Sequence, residues 1–339
     1  MSSDAAYRAR IPPVSTDGPR PLWSVMIPTF NCARYLADTL SSVLAQDPGP
    51  DIMQIEVVDD HSNEDDPETV VRSIGQGRVQ FHRQTSNVGI TRNFATCLSR
   101  SRGKLVHLLH GDDCVRDGFY SKLGQAFEAR PEIGAAFCRH IFMDAQGHWL
   151  SLSHLEQRAS AILANGLERL AQEQRIMTPS IVVRRAVYEE LGGFDSRLIC
   201  SEDWEMWVRI AARHPIWYEV EPLALYRMHA HSNTGRHVGT AEDMRYTGAA
   251  IEMFKHYLPE DRADRITRQA KETYAHSAIN AASVLLSRGD MAGARAQLRE
   301  AMHLSHSRRV TSKIAWFAVR MMTYIFRRRS GCERPTPNT

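Results

Sequence analysis

The sequence predicts an α/β protein with a mainly parallel sheet flanked by helices, followed by an all-helical C-terminal extension. Two patterns predict it. From Trp23 to Met143, short apolar β-rich runs alternate with longer segments whose apolar residues recur at helical spacing, the signature of strands paired through helical crossovers. From about Glu242 the alternation stops and the chain reads as helix almost throughout.

The strands come first in the argument. WSVMIPTF (23–30), MQIEVVD (53–59), RVQFHR (78–83), KLVHLLH (104–110) and GAAFCRHIFM (134–143) are short and rich in β-branched or aromatic residues. Between them, ARYLADTLSSVLAQ (33–46), DPETVVRSI (66–74), GITRNFATCLSRS (89–101) and DGFYSKLGQAFEAR (117–130) are amphipathic, and Asp66 before Pro67 is a ready helix cap. Beyond Asp144 a hairpin turn is expected at Gln146-Gly147. TPSIVVRR (178–185) then reads as a strand, DWEMWVRIAARH (203–214) as a helix and WYEVEPLALYRMH (217–229) as extended. In the extension, Gly289-Asp290 joins two amphipathic segments as a helical hairpin with no repeat of itself, hence an appendage rather than a solenoid.

Composition bounds the function. A chain of 339 residues, 43% of them apolar, can build a sizeable core, and a net charge of +3 argues neither for nor against nucleic acid. The six cysteines are scattered without a CxxC pair, which suits free thiols and a cytoplasmic location. The first residues carry no apolar core of a signal peptide and are expected to form a disordered leader. The boundaries expected are a leader over 1–22, a main domain over 23–238, a helical extension over 239–307 and a basic amphipathic helix and tail over 308–339.

Three acidic sites carry the chemistry. EVVDDHSNEDD sets Asp59 and Asp60 just past one strand, LLHGDDC sets Asp112 and Asp113 past another, and SEDWEMW sets Glu202 and Asp203 at a helix start. Ligands on parallel sheets bind beyond the carboxyl ends of the strands. Carboxylates there can accept hydrogen bonds from a nucleobase imide and ribose hydroxyls, or hold a hard divalent cation that also grips a diphosphate. Each site alone has a plainer explanation as a turn or as helix N-terminal charge; their joint occurrence points to a ligand.

From Trp23 to about Ser232 the chain resembles the family 2 glycosyltransferases of the GT-A fold, a Rossmann-like α/β architecture. The matching stretches are VMIPTFNCARYLADTLSSVLAQ, EVVDDHSNEDD, SNVGITRNFATCLSRSRGKLVHLLHGDDCV, GGFD and SEDWEMWVRIA. The resemblance implies that Pro28 and Thr29 form the nucleotide-cradling turn, that Asp60 bonds the donor's base, and that Arg92 lies along the nucleotide. It makes Asp112 and Asp113 the acidic motif, the first near the ribose and the second on Mg2+ or Mn2+. It makes Asp203 the catalytic base, with Glu202 beside it. His110 stands where many members carry a further aspartate.

These roles describe an inverting transfer of a sugar from a nucleoside diphosphate, UDP or dTDP favoured, to a glycan or lipid-linked acceptor. Bacterial cell-envelope or exopolysaccharide synthesis is the setting the resemblance implies. His229 and His231 form an HxH pair in YRMHAHSNT, either incidental loop residues or, for His229, a further metal or phosphate contact. Two rivals are a metal-dependent phosphohydrolase using His107 and His110 beside the acidic pair, and a nucleotide-sugar-binding protein without catalysis.

The tail adds a last expectation. SKIAWFAVRMMTYIFRRR (312–329) would align Lys313, Arg320 and Arg327 on one narrow face of a helix, with Ile314, Trp316, Phe317 and other apolar residues covering most of the rest. Between Arg308 and Arg329 there are seven Lys or Arg and no acid. A helix of this kind can lie in an anionic membrane interface or dock on its own domain; it is shorter than the roughly 18 to 20 apolar residues of a span. The first of these would place the protein at the inner face of the cell membrane.

Overall fold

The computed structural model describes residues 6–15, 19–230 and 233–317. The strands and helices run, in chain order, β1 (Trp23–Thr29), α1 (Ala33–Leu44), β2 (Met53–Asp59), α2 (Pro67–Gly75), β3 (Gln80–Arg83), α3 (Ile90–Arg100), β4 (Leu105–Leu108), β5 (Cys114–Val115) and α4 (Phe119–Ala129). They continue with β6 (Ala135–Met143), β7 (Trp149–Leu152), β8 (Ala161–Ile162), α5 (Gly166–Gln172), β9 (Ile181–Arg184), α6 (Arg185–Leu191), α7 (Glu202–Ala211) and β10 (Ile216–Arg227). The last described elements are α8 (Asn233–His237), α9 (Glu242–Phe254), α10 (Glu260–Ser287), α11 (Met291–Leu304) and a helix over 308–317.

The strands form one sheet in the order β3-β2-β1-β4-β9-β6-β10-β5, with β7 beside β6 and β8 beside β10. Its first four strands are parallel, as the helical crossovers require. Past β4 the sheet is mixed, because β9 runs antiparallel to both β4 and β6 while β6 and β10 are parallel. That reversal decides where the site lies. With His107 paired to Val182, the start of β9 sits beside the end of β4, so the 178–180 turn reaches the edge onto which Asp112 and Asp113 emerge.

Side chains alternate across the sheet with period two. Val25 and Ile27 of β1 face α1, α2 and α4, packing with Leu36, Leu40, Val71, Phe119 and Leu123. Met26 faces the other way into a larger core with Phe94 of α3, Tyr188 of α6 and Trp204 and Trp207 of α7. Ala250, Ile251 and Phe254 of α9 and Ala263, Ile266 and Ala270 of α10 join that same core, so the extension is packed into the main domain. The second half of α10 packs instead with α11 and the helix over 308–317.

Of the leader expected over 1–22, the structure describes residues 6–15 and 19–22, and several of these contact the main domain. Ile11 is buried in the larger core, and residues 21 and 22 offer their carbonyls to Lys104 and Leu105 at the start of β4. Arg8 pairs its backbone with Asp195 and reaches Glu205 at 3.3 Å, beside a hydrogen bond to Tyr257. Glu205 is fully buried and shared with Arg209 at 2.9 Å, so it needs positive partners that local sequence does not announce. Ile11→Ala is expected to cost about 2 to 5 kcal/mol in denaturant unfolding, the range for a truncated core residue. A disordered leader would give a change near zero.

Part of the expected basic amphipathic segment falls on the helix over 308–317. Val310 and Phe317 are buried and Ile314 packs beside them against α10 and α11, so Ile314 and Phe317 face protein rather than a membrane, while Lys313 and Trp316 remain exposed. The rest of the expected amphipathic segment, with Arg320 and Arg327, lies outside the described residues, as do His231 and Cys332. Cys32, Cys97, Cys114, Cys138 and Cys200 are buried thiols. No helix among the described residues is long and apolar enough to cross a membrane.

Candidate active site

The acidic turn after β4 is stitched to the end of β1. Leu109 and Gly111 donate their N–H groups to the carbonyls of Met26 and Pro28, at 3.0 and 3.1 Å. A Cβ on Gly111 would stand 3.0 Å from Cys32 Sγ and 3.2 Å from Thr29, so any larger residue would have to push these neighbours aside. Pro28 and Thr29 thus shape the floor beneath Asp112 and Asp113, with Thr29 itself buried.

Asp113 is almost fully buried. Its Oδ1 accepts the Arg227 N–H at 2.7 Å, while Oδ2 has no hydrogen-bond partner and lies 3.6 Å from His110 Nδ1. Burial, and then the charge of Asp112, push its carboxyl well above the usual range against the pull of Arg227. Burial would raise Asp112 too, but a 2.9 Å hydrogen bond from His229 Nε2 and the nearby His110 outweigh it and hold Asp112 below the usual range. His110 is stacked on Phe94, ring centroids 5.5 Å apart, and its Nε2 is buried without a partner. Burial lowers its imidazole from the usual value, against the pull of the Asp112 charge.

The ligating atoms of His110, Asp112 and Asp113 lie within 4.8 Å of one another. A buried, unpartnered carboxylate oxygen with an imidazole nitrogen and a second carboxylate close by fits a divalent cation, which would replace the missing partner. The mixed oxygen and nitrogen donors suit Mn2+ better than Mg2+. His229, expected from sequence as a possible ligand, lies 2.9 Å from Asp112 Oδ2, and the three-residue cluster includes His110. Arg227 ties the site together: besides Asp113 it bonds the Asp112 carbonyl at 2.8 Å and Asp38 at 3.1 Å, with its guanidinium over Tyr35.

The acids after β2 divide their work. Asp59 folds back on Ser62 and faces Arg83 at 3.6 Å, which secures the turn. Asp60 accepts the N–H groups of Val88 and Gly89 at 2.8 and 3.0 Å, one on each oxygen, leaving a lone pair on each for a ligand. Arg92 is exposed on the first turn of α3.

Glu202 and Asp203 open α7, but they are not the solvated charge of an ordinary helix start. Asp203 Oδ2 accepts Gln174 Nε2 at 2.8 Å and Thr178 Oγ1 at 3.2 Å, and Oδ1 accepts the Trp204 N–H at 2.7 Å. Burial raises its carboxyl, these donors restrain the rise, and the result is about 6. Glu202, buried and beside the charge of Asp203, is pushed up to about 8. At neutral pH the pair therefore offers one ionised and one protonated carboxyl.

His107, half of the phosphohydrolase motif, faces away from this edge. It is fully buried against Phe119 and Tyr120, with Nε2 3.0 Å from the Pro179 carbonyl, and burial lowers it to about 3. Sequence reading passed over Gln174, Thr178, Arg227 and Tyr35. Only Arg227 had a local signal, a cation ending an otherwise apolar extended run.

A mixed sheet with acids gathered at the strand ends, flanked by helices, is the architecture of the GT-A glycosyltransferases. Two solved structures share it. S. aureus TarS 1-349 in complex with UDP-GlcNAc superposes with a TM-score of 0.59 at 14% identity, over 85% of this chain and 91% of that one. A mannosyltransferase from Pyrobaculum calidifontis in complex with GDP-Man and Mn2+ gives 0.55 at 16%, over 95% and 86%. Residues 24–192 match the family model for glycosyl transferase family 2, and the chain belongs to that family. An uncharacterised protein of Mycobacterium tuberculosis is 28% identical over 68% of this chain and 75% of its own length. An uncharacterised glycosyltransferase of Rickettsia prowazekii is 25% identical over 66% and 69%.

Proposed function

We propose that this chain transfers a sugar from a nucleoside diphosphate donor to a hydroxyl of a glycan or lipid-linked acceptor, with inversion at the anomeric carbon. The observation that carries the proposal is the half-buried, donor-held Asp203, tied through Thr178 to the sheet edge of the Asp112–Asp113 turn. Asp203 takes the proton of the attacking hydroxyl, and protonated Glu202 beside it adds no second negative charge. Asp60 receives an imide N–H of the base on its remaining lone pairs, and Pro28 and Thr29 line the nucleotide's path, with Arg92 able to swing toward the phosphates. Asp112, Asp113 and His110 would hold Mn2+ or Mg2+, which when bound neutralises the departing diphosphate.

The test is a thermal-shift screen of UDP, dTDP and GDP and their sugars, each with and without Mn2+. A nucleotide whose stabilisation needs the cation supports the proposal. No cation-dependent shift with any nucleotide overturns it.

The acceptor side extends the proposal to an anionic membrane surface, engaged by the basic residues that follow Phe317. Because Val310, Ile314 and Phe317 belong to the helical core, truncation belongs after Phe317, where it spares that packing. The truncated protein is expected to lose co-sedimentation with phosphatidylglycerol vesicles that the full chain shows. Equal sedimentation of both would refute membrane engagement by this segment.

A further inference from the structure

The extension contributes more than bulk to the fold. Tyr274 on α10 accepts the backbone N–H of Gln174 on its hydroxyl at 3.0 Å, and its ring lies 5.0 Å from that of Trp204, the residue after Asp203. Trp204 is held from two further sides, by Phe254 of α9 at 4.9 Å and by the Leu170 carbonyl at the end of α5, which accepts its indole N–H at 2.5 Å. Gln174 has no helix or strand around it: it stands in the connection after α5, and Tyr274 is the buried group that fixes its backbone. The chain of contact thus runs from α10 to the Gln174 backbone, and from the Gln174 amide to Asp203.

We infer that Tyr274 and Gln174 are positioning residues for Asp203: the helical extension, through Tyr274, holds the Gln174 amide on the carboxylate of the base and keeps it in its accepting orientation. The inference deepens the proposed function, resting on Asp203 as the base. Its physical content is simple. Gln174 Nε2 and Thr178 Oγ1 donate more strongly to the ionised carboxylate than to the neutral acid, so they favour the ionised form in a site whose burial disfavours it. Glu202 on the same helix ionises only above Asp203 and so stays protonated while Asp203 titrates, Cys200 precedes it in the loop, and Asp243 of α9 lies near Cys200. Glu173 and Arg175 flank Gln174 but pair with each other at 3.2 Å, and the 178–180 turn brings no titratable group. Removing the Gln174 amide should therefore raise the pH at which Asp203 ionises.

The experiment is a carbon-13 NMR titration of the carboxyl groups of the full chain, labelled at aspartate, with the Asp203 resonance assigned by its loss in Asp203→Asn. It needs no donor or acceptor. Gln174→Leu is expected to raise the Asp203 midpoint by roughly one pH unit, the scale of one lost hydrogen bond to a charged group. Tyr274→Phe, which keeps the ring on Trp204, should raise it by a smaller amount in the otherwise unchanged chain and by nothing further in the Gln174→Leu background. An unchanged midpoint in Gln174→Leu overturns the inference. So does a Tyr274→Phe shift of equal size in both backgrounds, since the tyrosine would then act on Asp203 without Gln174. A midpoint that shifts as expected while Asp203→Asn leaves transfer intact would uphold the positioning network and refute Asp203 as the base, so the two proposals fail separately.

Discussion

Asp203→Asn is expected to lower the rate of sugar transfer by about 10² to 10⁴-fold, the contribution of a positioned general base, while leaving nucleotide binding within about twofold. The amide keeps the shape of the carboxylate and can still meet Thr178 and the Trp204 N–H, so the loss reports proton transfer and not collapse of the loop. The same carboxyl sets the pH dependence. With ionisation near 6, turnover should climb as pH rises through about 6, because only the ionised form accepts the acceptor's proton. The linkage to stability has the opposite sense. A carboxyl raised in the folded chain binds protons that the unfolded chain has already released, so its ionisation weakens the fold between the unfolded value near 4 and the folded value near 6. Above that window the neutral asparagine should raise the melting temperature. A rate loss below threefold in Asp203→Asn, measured with a donor found by the thermal-shift screen, would remove Asp203 from the chemistry.

What the sequence disclosed and what it hid follow from the range of the interactions involved. The β1 to β4 half was legible because period-two and period-3.6 patterns are local, and the acids after β2 and β4 follow directly from the strand ends. The direction of β9 was not legible, since TPSIVVRR is equally apolar whichever way it pairs, yet its antiparallel run is what brings Thr178 to the acidic edge. The contacts of Arg8 were hidden because composition weighs Ser, Pro and Arg as solvent-seeking and cannot see Asp195 and Glu205, which lie almost two hundred residues on. Gln174 and Tyr274 were silent for the same reason: an amide in a loop and a tyrosine on an amphipathic helix acquire their roles only when α10 folds over the end of α5. His110 was visible as a departure from the family pattern, but its stacking on Phe94 and its place beside Asp113 needed coordinates.

Asp113→Asn should separate stability from function at the other acidic site. Asp113 is buried with one oxygen bonded to the Arg227 N–H and the other unpartnered, an arrangement that costs the fold whenever the group is charged and no cation is present. Asparagine keeps the oxygen that Arg227 needs and carries no charge beside Asp112, so without added metal the variant should melt at or above the temperature of the unaltered protein. In Mn2+ the order should reverse. A cation relies on the anionic Oδ2 together with His110 and Asp112, and losing a direct anionic donor should cost at least the roughly 10 to 100-fold in metal affinity that losing an outer partner of a ligand costs. The Mn2+-dependent part of nucleotide stabilisation should therefore disappear, and transfer should fall by at least the same factor because the departing diphosphate is left unneutralised. Melting curves of both proteins with nucleotide, with and without Mn2+, decide the matter: a variant that retains the full cation-dependent shift would exclude Asp113 as a ligand, and one that unfolds at lower temperature without metal would show that the carboxylate serves the fold through a partner other than a cation.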